Sequence, residues 1–224
     1  MSEAEIINRL ISDTFTGNVN DLFIKSSECG HIEVVKILLT DSRVDPCDDN
    51  NYAIRLASER GHIEVVKLLL KDPRVDPGDD NNFAIEWASR NGHVEVVKIL
   101  LMDSRVDPGA NYNFAIEWAS YYGHTKVVKI LLKDSRVDPG ADSNYAIRWA
   151  SRNGHVEVVK LLLESLKHRF SLDTYIKIES GIEEEIKELL INHMITYQWY
   201  LKTLLVQHLT IDLLPQINHF IIAN

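Results

Sequence analysis

Cysteine is scarce in this sequence, and its scarcity excludes a disulfide-stabilised fold. Only two cysteines, Cys29 and Cys47, occur in 224 residues, and neither has a partner elsewhere in the chain. A disulfide framework needs paired cysteines and an oxidising compartment. The sequence therefore favours a reduced, intracellular setting, and the cytoplasm is the predicted location.

Long apolar runs and an excess of positive charge are also lacking. No uninterrupted apolar run reaches the roughly 20 residues that span a bilayer, and the N-terminus has no signal-peptide pattern. Acidic residues outnumber basic ones, 33 to 24, for a net charge of −9. Because sequence-independent nucleic-acid binding depends on Lys and Arg meeting phosphates, this charge opposes it. The sequence predicts neither a membrane nor a nucleic-acid partner.

Residue sets typical of catalysis or cofactor binding are missing as well. No Ser/His/Asp or Cys/His set, phosphate-binding glycine loop or catalytic carboxylate pair can be isolated, since the polar residues recur for structural reasons. Five histidines do recur, at His31, His62, His93, His124 and His155. Metal ligands must converge on one ion, whereas these histidines are spread along the chain. We predict a non-enzymatic protein without metal or cofactor, whose histidines bond to neighbouring backbone.

What the sequence does contain is a repeat of 31 residues. Gly-His pairs begin at positions 30, 61, 92, 123 and 154, and asparagines and prolines keep the same step without an insertion from 20 to 163. Such a period indicates a solenoid, in which each unit buries its apolar surface against its neighbours. The predicted units are 20–50, 51–81, 82–112, 113–143 and 144–174, the last with a degenerate tail.

Each unit begins with a pattern typical of a short helix and closes with a turn. In the second unit a helix is predicted from Asn51 to Arg60, with the Asn51 side chain capping its first turn. Gly61 ends this helix, because glycine readily adopts the left-handed conformation. The unit closes with KDPRVDPGDD, residues 71–80, whose Pro, Gly and Asp favour tight turns.

Between these segments, HIEVVKLLL at 62–70 predicts a second helix. Its Glu64 and Lys67 are expected to pair on the exposed side. The residues predicted to be buried are Ile63, Val66, Leu69 and Leu70. Two short helices cannot bury both faces alone, so neighbouring units must stack.

The stretch ASRNGHVEVVKLLL, residues 150–163, resembles the ankyrin repeat, a 33-residue unit of a turn and two helices with a T-P-L-H-x-A signature. Here Tyr-Ala-Ile-Arg, residues 52–55, stands in place of that signature, and each unit is two residues shorter. NYAIRWASRNGHVEVVKLLL, residues 144–163, is also similar to the ankyrin proteins abundant in giant DNA viruses. The resemblance covers roughly two-thirds of the chain. It implies an all-α solenoid of stacked helix-turn-helix units that binds proteins in a concave groove.

The ends of the chain are predicted to cap this solenoid. Residues 1–19 contain SEAEIINRLISD, an amphipathic stretch that predicts a helical N-terminal cap. Residues 164–193 predict a degenerate sixth unit, because Gly181 is followed by IEEEIKELL. Residues 194–224 are apolar and predict two helices broken near Pro215, as a C-terminal cap or as a docking surface.

Two ladders of side chains run along the predicted array. The first consists of Arg55, Glu86, Glu117 and Arg148. It predicts opposite charges side by side at 55/86 and 117/148, each pair contributing about 0.2–1 kcal/mol if exposed, and like charges at 86/117. The second consists of Leu56, Trp87, Trp118 and Trp149. Aromatic residues at the seam between units are expected to be largely packed.

Binding is predicted at positions that vary between units while the scaffold stays constant. These are the turn tips and the ends of the first helices, which the ankyrin resemblance places in the concave groove. Tyr112, Tyr121 and Tyr122 belong to one unit and are expected to lie close together. Since tyrosine is enriched at binding hot spots, we predict that they anchor a protein partner. The full predicted partner-binding set is Glu59, Arg60, Arg90, Asn91, Tyr112, Tyr121, Tyr122, Arg152 and Asn153.

The leading functional interpretation is a non-enzymatic protein–protein interaction scaffold for an unidentified partner, a host factor if the chain is viral. Two alternatives stay open. LLPQINHFII, residues 213–222, faintly resembles the opening of an F-box, with which some viral ankyrin proteins recruit ubiquitin ligases, and this implies an adaptor. The apolar C-terminal segment also allows a structural protein that dimerises, rather than a monomer of 25.6 kDa.

Overall fold

Helices form the fold in the part of the chain that the computed structural model describes, residues 3–11, 16–166 and 182–208. These ranges contain twelve helices and no strand. The helices are α1 (Glu3–Ile11), α2 (Val19–Cys29), α3 (Ile32–Thr40), α4 (Asp48–Arg60), α5 (Ile63–Lys71), α6 (Asp79–Arg90), α7 (Val94–Leu101), α8 (Ala110–Tyr121), α9 (Thr125–Leu131), α10 (Ala141–Arg152), α11 (Val156–Leu166) and α12 (Glu184–His208). The predicted all-α class is confirmed.

Helices α2 to α11 form five consecutive pairs that follow the predicted 31-residue step. Each first helix packs against the first helix of the next pair, and each second helix against the next second helix. The first helices make more extensive contacts with one another than the second helices do. We call the surface formed by α2, α4, α6, α8 and α10 the inner face. The predicted solenoid is confirmed.

Small residues allow the close approach of the first helices. In α4, Ala53, Ala57 and Ser58 are almost fully buried, and the same positions of α6, α8 and α10 hold buried Ala and Ser. Because these side chains add little volume, neighbouring backbones can pack closely.

The second helices supply the aliphatic core. In α5, Val65, Val66 and Leu69 have essentially no exposed surface, because α5 lies between its own first helix and the second helices of neighbouring units. The predicted burial of Val66 and Leu69 is thus confirmed, and Val65 joins them. Half-buried at the edges are Ile63 and Leu70. The predicted exposed pair also forms, with Lys67 Nζ 2.7 Å from Glu64 Oε1.

A left-handed turn lies at the start of α4, α6, α8 and α10, in place of the predicted asparagine cap. Asp49, Asn50 and Asn51 have φ angles of 51°, 55° and 57°. The equivalent triplets are residues 80–82, 111–113 and 142–144. Asn and Asp tolerate this conformation better than most residues do. The cap prediction is therefore wrong: Asn51 Oδ1 accepts a hydrogen bond at 2.8 Å from the backbone N–H of Asp76, and so joins the start of the unit to its end.

The Gly-His pairs join neighbouring units. Gly61 ends α4 with a φ of 77°, and a Cβ built on it would lie 2.6 Å from Nδ1 of His93 in the next unit. The same ring donates from Nε2 to the carbonyl oxygen of Glu59 at 2.7 Å. Equivalent bonds are made by His62, His124 and His155. The prediction that the repeated histidines bond to neighbouring backbone is confirmed for these four.

Arginines of the closing turns add a second link between units. Arg105 pairs with Asp103 at 2.6 Å, and it donates to the carbonyl oxygens of Val75 at 2.6 Å and Leu70 at 3.3 Å. The last carbonyls of a helix have no partner within the helix. Arg105 therefore caps α5 from the following unit.

Both ends of the array are covered by helices. At the start, α1 packs on α3 with Ile6 buried. At the end, α12 packs on α11 through Ile186 and Leu190, which are fully buried. Helix α12 continues through the predicted boundary between residues 193 and 194 as a single helix of 25 residues. Gly181, Pro215 and the F-box-like segment 213–222 lie outside the described residues.

The sequence predicts neither a membrane-spanning helix nor a disulfide. Among the described residues, no helix is long and apolar enough to cross a membrane. Cys29 and Cys47 are both free and exposed, so these two thiols do not form a disulfide with each other.

Candidate functional site

The inner face carries aromatic and charged side chains at intervals of three and four residues. Residues at this spacing lie on the same side of a helix. The small Ala and Ser residues and one Ile of each of α4, α6, α8 and α10 are buried, whereas the Trp, Tyr and Arg side chains of these helices keep part of their surface exposed. This face is the candidate functional site.

Its central feature is a continuous group of rings and guanidinium groups on α6, α8 and α10. We call this group the aromatic cluster: Trp87, Arg90, Trp118, Tyr121, Tyr122, Trp149 and Arg152. Four of its members, Arg90, Tyr121, Tyr122 and Arg152, were predicted as partner-binding residues.

Tyr121 joins the rings of α8 to those of α10. Its ring centre lies 4.8 Å from that of Tyr122, 5.7 Å from that of Trp118 and 5.2 Å from that of Trp149. All three contacts are edge-to-face, a geometry that aromatic rings prefer. Two units therefore contribute to one aromatic surface.

Arg90 connects this surface to α6. Its guanidinium lies 4.9 Å from the ring centre of Trp118 and 5.6 Å from that of Tyr122, and it donates to the Tyr122 hydroxyl at 3.3 Å. At the other end, Arg152 lies 5.7 Å from the ring centre of Trp149. These cation–π contacts hold the rings in place.

The tryptophans keep part of their surface exposed. Trp87, Trp118 and Trp149 are partly buried, whereas Leu56 at the same position of α4 is buried. The prediction of largely packed aromatics is confirmed, since most of the surface of each tryptophan is covered. Their remaining surface is available to a ligand.

The expected grouping of three tyrosines is corrected by the position of Tyr112. This residue lies in the left-handed turn at the start of α8, with a φ of 58° and 74% of its surface exposed. Tyr121 and Tyr122 lie at the other end of the same helix. The intervening segment, about eight residues long, separates the two ends by roughly 12 Å. Tyr112 is therefore exposed but lies outside the aromatic cluster.

Asn91 and Asn153, predicted as partner-binding residues, bond to the backbone of the helices that they follow. Asn91 Nδ2 donates to the Trp87 carbonyl oxygen at 2.9 Å, and Asn153 Nδ2 donates to that of Trp149 at the same distance. Both side chains thereby cap the ends of first helices. They border the aromatic cluster without joining it.

Glu59 and Arg60 line an open depression of about 550 Å³ on α2, α4 and α6, which adjoins the aromatic cluster at Trp87. Arg60 pairs with Glu28 of the first unit at 3.0 Å. Tyr52, Leu56 and Trp87 form the apolar part of the depression. The predicted site residues thus divide between this depression, the aromatic cluster and the exposed Tyr112.

The charged ladder does not pair as predicted. Arg55 forms its ion pair with Asp80 of the next turn, and Arg148 lies over the ring of Tyr145 at 4.6 Å. Neither arginine pairs with Glu86 or Glu117 among the described residues. The prediction is wrong because Arg55 and Glu86 bond instead to the left-handed turn of the following unit, at Asp80 and Asn111.

Two carboxyl groups of this ladder are buried. Glu86 and Glu117 are each only 9% exposed. Burial raises the pKa of Glu86, against the opposing effect of a hydrogen bond from Asn111. Burial raises the pKa of Glu117 to about 8, and the nearby carboxylates of Asp142 and Glu86 add to this effect.

From the sequence alone, Glu117 and the tryptophans are interpreted as structural residues, and Asp142 has no predicted role. The repeating Trp at one position was the available signal for the aromatic surface, but its exposure depends on packing between units. Within the described residues, no group of three or more His, Cys, Asp or Glu side chains could hold a metal ion.

Comparison with known proteins gives one result for the repeat region. The model of a family described as ankyrin repeats (3 copies) matches residues 22–113 and, in an overlapping match, residues 85–174. Together the matches cover more than half of the chain. No curated protein matches the chain.

Proposed function

The chain belongs to the ankyrin-repeat family, and from this premise we propose that it binds a protein partner through its inner face, with the aromatic cluster at the centre of the interface. Ankyrin repeats are generally protein–protein interaction modules. The resemblance to giant-virus ankyrin proteins makes a host protein the expected partner.

The observation that carries this proposal is the open aromatic cluster itself. Trp, Tyr and Arg are the residue types most enriched at interface hot spots, and all three occur here in contact with one another. Because Arg90 and the edge-to-face contacts already order the rings, binding would cost these side chains little additional conformational entropy. A rigid aromatic surface of this kind supports tight and selective docking.

The experiment compares affinity capture from cell lysate by the full chain and by matched variants. We expect Tyr121→Ala/Tyr122→Ala to reduce capture of a specific protein by roughly tenfold or more, because hot-spot truncations cost at least about 2 kcal/mol. Met102→Ala is the control, since Met102 follows a second helix and is 84% exposed. Circular dichroism checks that all variants keep their helices.

Equal capture by the full chain, the tyrosine variant and the control would overturn the proposal. A Tyr112→Ala variant tests the extent of the interface. Because Tyr112 lies outside the aromatic cluster, we expect a smaller loss than for the paired tyrosines.

A further inference from the structure

Arg90 is the cation of the aromatic cluster that lies among several rings. Its guanidinium carbon is 5.8 Å from the ring centre of Trp87, 4.9 Å from that of Trp118 and 5.6 Å from that of Tyr122. A guanidinium contacts rings through its flat faces, whereas its N–H groups donate in its plane. These contacts therefore leave the N–H groups of Arg90 for a hydrogen-bond acceptor.

Most of these N–H groups have no acceptor in the protein. Among the described residues, the Arg90 side chain donates only to the Tyr122 hydroxyl, from Nη2 at 3.3 Å. Its Nε and Nη1 atoms make no hydrogen bond, and neither atom is closed to solvent. Arg55 and Arg148 differ, because Nε of each is both unbonded and closed to solvent. An acceptor that docks on the aromatic cluster can therefore reach Arg90.

The charge of Arg90 is not balanced by an ion pair within the described part of the chain. Arg60, at the end of the preceding first helix, lies 3.0 Å from Glu28 and so is paired. Glu86 lies one helical turn before Arg90, but it is only 9% exposed, and burial raises its pKa. Glu59, one repeat before Arg90, forms no ion pair with it either. Arg90 therefore differs from Arg60 in having a charge that is open to a partner.

The aromatic cluster as a whole has the sign of charge opposite to that of the chain. Its members include two arginines, Arg90 and Arg152, and no carboxylate, whereas the chain has a net charge of −9. Complementary charge at an interface steers encounter and selects the partner. This local positive charge favours an acidic group on the partner.

The Tyr122 hydroxyl is a second donor beside Arg90. It accepts the Nη2 hydrogen bond through a lone pair and keeps its own O–H for donation, for which the described residues supply no acceptor. Tyr122 is 41% exposed, so this O–H is accessible. A guanidinium and a hydroxyl 3.3 Å apart thus present donors to one acceptor group with two oxygens. A carboxylate is such a group, and its bonds to a guanidinium are among the stronger hydrogen bonds.

We propose that Arg90 and Tyr122 bind the side-chain carboxylate of an aspartate or glutamate in the protein that docks on the aromatic cluster. This inference rests on the proposed function and specifies the chemistry of the partner. The free N–H groups of Arg90 and the O–H of Tyr122 would donate to the two carboxylate oxygens, while an adjacent apolar or aromatic side chain packs on Trp118 and Tyr121. The partner segment is therefore expected to have an acidic residue next to an apolar or aromatic one.

The test uses the full chain and small peptide probes in place of the partner. Acetyl-glutamyl-phenylalanine amide is titrated into isotope-labelled protein, with acetyl-glutaminyl-phenylalanine amide as the matched probe of the same shape without the charge. NMR shifts of the Trp118 indole N–H and of the Tyr122 amide report binding. We expect the acidic probe to bind roughly tenfold or more tightly than the uncharged one.

Matched variants locate the effect. Arg90→Gln should bring the two probes to nearly equal affinity, because it removes the cation. Tyr122→Phe keeps the ring and should weaken the acidic probe alone, by roughly threefold or more. Arg60→Gln is the control, since Arg60 is already paired with Glu28, and it should leave the preference unchanged. A general disturbance of the rings would instead weaken both probes alike, so the ratio of their affinities isolates recognition of the charge.

Three outcomes would overturn the inference. The first is equal binding of the two probes to wild type, or no binding of either at millimolar concentration. The second is a preference for the acidic probe that persists in Arg90→Gln. The third is displacement of the acidic probe by inorganic phosphate at the same concentration, which would show a site for anions in general.

The outcome is separable from that of the proposed function. If Tyr121→Ala/Tyr122→Ala abolishes partner capture while the two probes bind equally, the interface stands and the carboxylate site is rejected. If the acidic probe is preferred while partner capture does not depend on the tyrosines, the inner face is not the partner interface, and the carboxylate site no longer describes the partner.

Discussion

Tyr112 shows how one residue can oppose the conformation that its repeat requires. It occupies a left-handed position, with a φ of 58°, where the turn one repeat earlier has Asn81 at the same angle. Left-handed backbone costs most residues about 1–2 kcal/mol, and Asn less, because its side chain can bond locally. The turn at Tyr112 therefore carries local strain that the preceding turn avoids.

We predict that Tyr112→Asn raises the free energy of unfolding by about 1 kcal/mol, since it relieves this strain. The reciprocal change, Asn81→Tyr, should lower it by a similar amount. Urea unfolding followed by circular dichroism measures both. If the two variants shift stability in the same direction, the backbone angle is not the cause.

Glu117 gives a second prediction at the scale of one residue. Its folded-state pKa of about 8 lies above the ordinary Glu value of 4.5, so the folded state holds the proton more tightly than the unfolded state. Stability from this group is then fully present below about pH 4.5 and is lost as the pH rises towards 8. Glu117→Gln should remove this loss.

The measurement is the free energy of unfolding of wild type and Glu117→Gln at pH 5 and pH 8. We expect the variant to gain on the order of 1–3 kcal/mol relative to wild type between these pH values. Glu95→Gln, an exposed control, should follow wild type. A constant difference between wild type and Glu117→Gln would mean that Glu117 titrates normally in the folded state.

At the scale of the element, the repeated joint is a left-handed glycine against a histidine ring. Gly92 has a φ of 74°, and a Cβ built on it would lie 2.7 Å from Nδ1 of His124. The histidine also donates to the Arg90 carbonyl oxygen at 2.9 Å. Glycine is thus needed both for its backbone angle and for the space that it leaves.

We predict that Gly92→Ala lowers the free energy of unfolding by about 2–4 kcal/mol, from backbone strain and steric overlap together. His124→Ala should cost about 1–2 kcal/mol through the lost hydrogen bond. The double variant should cost less than the sum, because the overlap requires the ring.

Thermal and urea unfolding of this double-mutant cycle decide the point. Asn91→Ala is the control, since its side chain bonds only within its own helix end, and we expect it to cost less than Gly92→Ala. Strict additivity of the two variants would show that glycine is required for its backbone angle alone.

At the scale of the whole molecule, the stability of each unit depends on its contacts with the neighbouring units. Every helix pair packs against its sequence neighbours, so the array behaves approximately as a sum of units and interfaces. Helix α12 takes the place of a further unit at the C-terminal end. Its buried residues Ile186 and Leu190 cover α11.

We predict that Ile186→Ala destabilises this end of the array by about 2–4 kcal/mol, the usual cost of an aliphatic cavity. Amide hydrogen exchange should accelerate in α11 and α12 and stay unchanged in α4 and α6. Ile195→Ala serves as the control, because Ile195 is 48% exposed. Uniform acceleration along the chain would instead show that the array unfolds as one cooperative unit.

The sequence by itself determined the features that recur. The 31-residue step, the helix pairs, the histidine bonds and the aromatic and arginine residues at the ends of the first helices could all be predicted, because each depends on local pattern and on its repetition. Glycine, proline and the spacing of apolar residues determine backbone conformation within a few residues. Repetition of the same pattern in five units makes the prediction of helices and turns more certain.

Only the tertiary structure decided which side chains meet between units. The left-handed turn places Asp80 in contact with Arg55 and the Asp142 charge near Glu117. Simple repetition instead predicts contacts between residues at the same position of successive units. Packing between units leaves part of each tryptophan exposed, and the length of α8 separates Tyr112 from Tyr121. These contacts depend on the geometry of the interface between units. That geometry results from packing between residues far apart in the chain, so the sequence of a single repeat does not determine it.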